Sequence, residues 1–121
     1  VMKRVLVVDD IPSNRKIATV ILEKFGWQTA EEPGGPEALA RKDLAEFSHI
    51  LLDINMPEMD GIQVCHRLRE QDGLKHLKII AYTAHAMEKE KSQIMSEGFD
   101  DIIIKPISVD TLLAVLNNVS P

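Results

Sequence analysis

The chain has 121 residues, with 14 Lys and Arg against 19 Asp and Glu, and a formal charge of −5 at pH 7. That length suits one domain with a real core, and the acidic balance argues against direct binding of nucleic acid, which needs clustered Lys and Arg on one face. The single cysteine, Cys65, excludes an internal disulfide and a cysteine-rich metal framework and suits a reducing compartment, so the expected location is cytoplasmic. No apolar run approaches the roughly 18 residues of a membrane span and no secretory leader is legible, so no membrane insertion is expected.

In chain order, short apolar runs alternate with segments of helical period, the pattern of an α/β domain with a parallel sheet. Arg4 to Val8 reads as the first strand and runs into Asp9 and Asp10. Pro12 and Ser13 open a first helix with Ile17, Val20, Ile21 and Phe25 at helical spacing, and Gly26 stops it. Trp27 to Glu31 reads as a second strand, and a second helix begins near Pro36 with Ala40, Leu44 and Phe47 along one face. The third strand, His49 to Leu52, delivers Asp53 to the loop NMPEMDG, whose Pro57 and Gly61 resist both helix and strand.

Val64, Cys65 and Leu68 mark a third helix ending near Gly73, and Lys78 to Tyr82 forms a fourth strand ending at Thr83. The next helix is the weakest. It is heavily charged, with Met87, Ile94 and Met95 as its few anchors, so less burial and more mobility are expected there. Ile102 to Ile104 is the last strand and leads to Lys105-Pro106; Ser108 then caps a fifth helix carrying Leu112, Leu113, Leu116 and Val119.

In an open parallel sheet the carboxyl ends of the strands border one crevice, so Asp9, Asp10, Asp53 and Lys105 are expected to converge there. Each has a plainer role as well: acids at strand ends cap helices or close turns, and lysines there are commonly solvated. Together they outline a divalent-metal and phosphoryl site. Adjacent carboxylates suit Mg²⁺, which takes a few carboxylates, retained waters and phosphate oxygens. The run from Asp53 resembles a calcium-binding EF-hand loop only in part, since its sixth position is Glu58 and its twelfth Val64. An ionised Asp53 beside a cation has the properties of a carboxylate nucleophile towards phosphorus. An X-Pro bond adopts the cis form at modest cost, so Lys105-Pro106 can make a turn that aims the amine inward, and the Thr83 hydroxyl can donate to a phosphoryl oxygen.

Four motifs, VLVVDD, LLDINMPEMDG, YTA and IIIKPI, in this order and at strand ends, resemble the receiver domain of two-component response regulators over nearly the whole chain. The run YTAHAM is similar to receivers of hybrid sensor kinases and of single-domain relay proteins. The resemblance implies one receiver domain over residues 1–121 with a flavodoxin-like, doubly wound (βα)5 fold and a five-stranded parallel sheet of order 2-1-3-4-5. It implies that Asp53 is the phosphoacceptor, that Asp10, Asp53 and the Asn55 carbonyl ligate Mg²⁺ with Mn²⁺ as a substitute, and that Asp9 acts through a metal-bound water. It further implies that Lys105 grips a phosphoryl oxygen, that Thr83 moves to bond another, and that the small Ala84 leaves room for the phosphate. His85 and Asn55 stand where side chains of the family influence dephosphorylation.

Donor and reader are implied too: a histidine kinase or histidine phosphotransfer protein supplies the phosphoryl group, and a downstream protein reads the face built by the fourth and fifth helices. The expected activity is a signalling switch that catalyses its own phosphorylation and dephosphorylation, not a dedicated enzyme. One departure stands out. Receivers commonly carry an aromatic residue three positions before the lysine, and here that position is Ile102; Tyr82 next to Thr83 points to the opposite face of its strand and is not expected to substitute. Two other readings are a haloacid dehalogenase type phosphatase, whose first strand should end in Asp-x-Asp where this chain has Asp9-Asp10-Ile11, and a degenerate receiver that only binds partners.

Overall fold

The computed structural model describes residues 3–84 and 87–118. Five parallel strands, β1 (Arg4–Val8), β2 (Gln28–Glu32), β3 (His49–Asp53), β4 (Lys78–Thr83) and β5 (Asp101–Ile104), form one sheet in the order β2-β1-β3-β4-β5. The expected topology is the observed one. Helices α1 (Pro12–Lys24) and α5 (Val109–Asn118) cover one face, while α2 (Gly35–Leu39), α3 (Gly61–Arg69) and α4 (Glu88–Met95) cover the other. Among the described residues no helix is long and apolar enough to cross a membrane.

Alternation along each buried strand splits the core into two clusters. Val5, Val7, Leu51, Ile80 and Ile103 meet Ala18 and Leu22 of α1 and Leu112 and Leu116 of α5. Leu6, Val8, Ile50, Leu52 and Ile79 meet Val64, Cys65 and Leu68 of α3. Each fully buried Leu or Ile contributes about 1.5–3 kcal/mol, so the central strands anchor the domain.

Three expectations need correction. The first concerns α1, whose buried stripe is Ala18, Thr19 and Leu22, while Ile17, Val20 and Phe25 of the expected face are 50%, 52% and 44% exposed. Small Ala18 lets the helix approach the sheet closely, and only Ile21 of the expected face leans on the core. The helix does stop at Gly26: its φ of +89° allows Trp27 N–H to reach Leu22 O at 3.0 Å and Gly26 N–H to reach Glu23 O at 3.1 Å.

The second correction is α2, which ends at Leu39; Ala38 is buried and Ala40 is exposed. Leu44 and Phe47 are buried from a separate 3₁₀ turn at Leu44–Glu46, because Arg41 turns away from the helix to pair with Glu32 and Asp43 at 2.7 and 2.8 Å. The third is that the expected ends shift: β2 starts one residue later, β5 one residue earlier, α3 stops at Arg69 before a 3₁₀ turn at Asp72–Leu74, and Gly61 is the first residue of α3. Helix α4 is lightly buried as expected, but Ile94 alone anchors it; Met87 is 70% exposed. Ser108 does cap α5, its Oγ accepting from Thr111 N at 3.2 Å, and Leu112 and Leu116 are buried whereas Leu113 is half-buried. Val119 lies outside the described residues.

His49 begins β3 fully buried, edge-on to Trp27 with ring centroids 5.2 Å apart. Its Nδ1 meets Ser48 Oγ at 2.8 Å, and its Nε2 has no partner of hydrogen-bond geometry among the described residues. Burial pushes its pKa down to about 4, opposed by the Leu116 backbone. The native ring is therefore neutral while the unfolded chain takes up a proton near pH 6.5, and stability is lost as pH falls from there towards 4. Melts of wild type and His49→Phe at pH 7.5 and pH 5 should show the variant gaining about 2 kcal/mol on wild type across the interval; equal pH dependence would contradict the assignment.

Candidate functional site

Strand register, not loop wandering, assembles the site. Val8 pairs with Leu52, so the next step out of the sheet sets Asp9 beside Asp53; Asp53 pairs with Tyr82, and Thr83 with Ile104, which leaves Lys105 one residue beyond. Ligand atoms of Asp9, Asp10 and Asp53 all lie within 4.8 Å of one another. The Lys105-Pro106 bond is cis, and Lys105 Nζ sits 3.0 Å from Asp53 Oδ1 and 3.6 Å from Asp9 Oδ2.

The carboxylates are held by the backbone. Asp9 Oδ1 accepts from Ile11 N at 2.9 Å, and the Arg15 guanidinium bonds the Asp9 carbonyl at 2.6 Å. Asp53 Oδ1 also accepts from Asn55 N at 3.3 Å. Gly61 lets α3 begin directly against the chain leaving Asp53: its N–H bonds Ile54 O at 2.9 Å, and a Cβ there would collide with the Asp53 carbonyl oxygen. Asp60 caps this helix through Gln63 N at 2.9 Å.

Asp53 is only 1% exposed, and its pKa is pushed up to about 6, by burial first and then by the Asp9 charge, against the Lys105 hydrogen bond. At neutral pH it is ionised yet short of compensating charge. Asp9 Oδ2 is buried and makes no hydrogen bond among the described residues, with only the Lys105 ion pair at 3.6 Å. Three hard carboxylates in mutual reach, two of them beside one ammonium, are a donor set that fits Mg²⁺.

Thr83 is fully buried at the end of β4, and Ala84 is exposed just beyond it. Asn55 is exposed and lines, with Ile54, Ile62, Glu90, Gln93 and Ile94, a groove of about 210 Å³ between α3 and α4. Ile102 is half-buried against the α2/α3/α4 cluster, and His85 lies outside the described residues. Sequence reasoning set Tyr82 aside and missed its contact with Lys105. Its side chain does point to the α1/α5 face, as alternation requires, yet Lys105 Nζ stands 4.7 Å from its ring centroid. Arg15 was missed as well, one helical turn beyond Ile11.

The profile of the response regulator receiver domain matches residues 5–117. The chain belongs to the response regulator receiver domain family. It is 35% identical over 119 residues to the polar-differentiation response regulator DivK of Brucella ovis, covering 96% of this chain and 94% of that one. It is also 37% identical over 116 residues to the sensor protein GacS of Pseudomonas syringae pv. syringae; the match takes in 93% of this chain but 13% of the length of that protein. The structure of the chemotaxis response regulator CheY4 of Vibrio cholerae superposes with a TM-score of 0.90 at 32% identity, over 98% of this chain and 99% of that one. The chain is thus a receiver domain of two-component systems, a signalling phosphoacceptor module rather than a dedicated enzyme, and receivers of this family bind Mg²⁺ at an acidic site such as the one formed here.

Burial of the Asp53 charge has a measurable cost. Because its native pKa is raised from the ordinary 3.8, the native state takes up a proton as pH falls through about 6, so this residue disfavours the fold above pH 6 and ceases to do so near pH 4. Without divalent metal, Asp53→Asn should raise the melting temperature at pH 8 by several degrees, corresponding to about 2–3 kcal/mol, and the gain should vanish near pH 4. A variant no more stable than wild type at pH 8 would contradict the crowding.

Proposed function

We propose that residues 1–121 act as one receiver domain in which Asp53 is the phosphoacceptor. The observation that carries this reading is a buried, ionised carboxylate 3.0 Å from a lysine ammonium, with two further acids in reach. An Asp53 carboxylate oxygen attacks the phosphorus of a phosphohistidine on a histidine kinase or histidine phosphotransfer protein. The phosphorus–nitrogen bond breaks, its electron pair returns to the imidazole, and an acyl phosphate remains on Asp53. Lys105 shifts from the carboxylate to a phosphoryl oxygen, and the Thr83 hydroxyl donates to another. Exposed Ala84 leaves the approach open. Proximity and fixed charge supply the rate enhancement.

Asp10, Asp53 and the Asn55 carbonyl would hold Mg²⁺ or Mn²⁺, with Asp9 supporting it through water. When bound, the cation neutralises charge on the transferring phosphoryl oxygens. Partner docking is supported by apolar side chains left exposed close to the site, Ile11 directly after Asp10 and Ile17 and Val20 on α1. Output runs through Thr83, the position of His85 and the lightly anchored α4 to the α4-β5-α5 face, because Ile102 provides no aromatic lever. Free, buried Cys65 supports a cytoplasmic setting.

Incubation with Mg²⁺ and acetyl phosphate, or with a phosphorylated kinase, should place a single acid-labile phosphoryl group on each wild-type chain and none on Asp53→Asn. Labelling of that variant at the wild-type level would overturn the assignment of Asp53. Sustained turnover of a generic phosphomonoester would point to the haloacid dehalogenase type of phosphatase, and no labelling of wild type to a domain that only binds.

A further inference from the structure

Tyr82 holds the ring that the phosphoryl site leans on from below. It is 3% exposed and packed among the α1/α5 cluster, so its plane has no freedom to swing away. Lys105 Nζ lies over that plane at 4.7 Å while facing Asp53 and Asp9 at 3.0 and 3.6 Å, and the lysine side chain is one-fifth exposed. The ammonium is thus enclosed on one side by carboxylates and on the other by a π-face. The Tyr82 hydroxyl pKa is raised, by burial and then by the Asp9 and Asp53 charges, which places the ring within the field of the same acids; the Ile107 backbone acts on it in the opposite sense.

We infer that Tyr82 is a positioning residue for Lys105, keeping its ammonium at the carboxyl edge of the sheet when the bond to Asp53 is given up for a phosphoryl oxygen. The need for such a residue follows from the chemistry. As the attacking Asp53 oxygen gives its charge to the new phosphorus–oxygen bond, Lys105 has to exchange it for a phosphoryl oxygen, and a flexible four-carbon stem has many other rotamers open to it during that exchange. A face of π-electrons attracts the cation independently of the carboxylate. The phenol oxygen is dispensable for this and the ring is not. Position 82 therefore substitutes in part for the aromatic missing at Ile102, but on the opposite face of the sheet and acting on the lysine rather than on Thr83.

The inference rests on phosphoryl transfer to Asp53, and two measurements separate the two. Proton NMR of the metal-free, unphosphorylated protein should show the Lys105 Hε resonances shifted upfield by the ring current in wild type and Tyr82→Phe and returned to the ordinary lysine range in Tyr82→Leu. Labelling with acetyl phosphate and Mg²⁺ should be slowed about three- to tenfold in Tyr82→Leu, with Mg²⁺ affinity unchanged, and restored in Tyr82→Phe. Tyr82→Met, which fills the slot without a ring, serves if the leucine variant does not fold. Labelling of both ring-free variants at the wild-type rate, or Lys105 Hε shifts that do not respond to loss of the ring, would overturn the role of Tyr82 while leaving Asp53 as acceptor. A wild-type protein that takes no label would instead overturn both.

Discussion

One ammonium set against two buried carboxylates, with a third acid in reach of both, is the constraint on which the rest depends. Asp9 and Asp53 are both buried, and Lys105 bridges them from 3.6 and 3.0 Å. Two like charges about 4 Å apart repel by roughly 4 kcal/mol at an effective dielectric of 20, so a single lysine leaves the cluster under-compensated. Burial first and then the Asp9 charge raise the pKa of Asp53, and among the described residues Asp9 Oδ2 has the Lys105 ion pair but no hydrogen bond. A site in this condition favours a second cation, and in the proposed function a phosphoryl group on Asp53 would draw on the same local charge balance.

The scaffold makes that crowding persist. Val8 and Leu52, fully buried just before Asp9 and Asp53, fix the strand ends that carry these acids, and Gly61 sets the start of α3 against the Asp53 carbonyl. Far from the site, Arg69 of α3 bonds Leu77 O, Gly98 O and Asp100 at 3.1, 2.9 and 2.6 Å, tying the segment between α4 and β5 to the start of β4. The segment that follows α4 is thereby anchored, while Met87, just before the first residue of α4, is exposed. A helix with one buried side chain, Ile94, suits a switch whose two positions differ by little free energy.

Strands and site were readable from the residues because central parallel strands are apolar on both faces. Their ends are abrupt, so Asp9, Asp53, Thr83 and Lys105 could be located by where hydrophobicity stops. Helix faces were harder. On α1 the largest apolar side chains lie outward and small Ala18 lies inward, so a reading by bulk selected the wrong stripe. Leu44 and Phe47 mimic a continuation of α2 at helical spacing, although Arg41 ends that helix by pairing across to β2. The contact of Tyr82 with Lys105 was illegible for a different reason: alternation reports which face a strand residue points to, but not that a long lysine can fold back over the sheet edge to meet it.

The balance of charge at Asp53 is open to direct observation. A carbon NMR titration of its carboxyl group, without metal, should give an apparent pKa near 6, and saturating Mg²⁺ should move it down by more than one unit. A metal-free pKa below 4 that Mg²⁺ leaves unchanged would contradict the account.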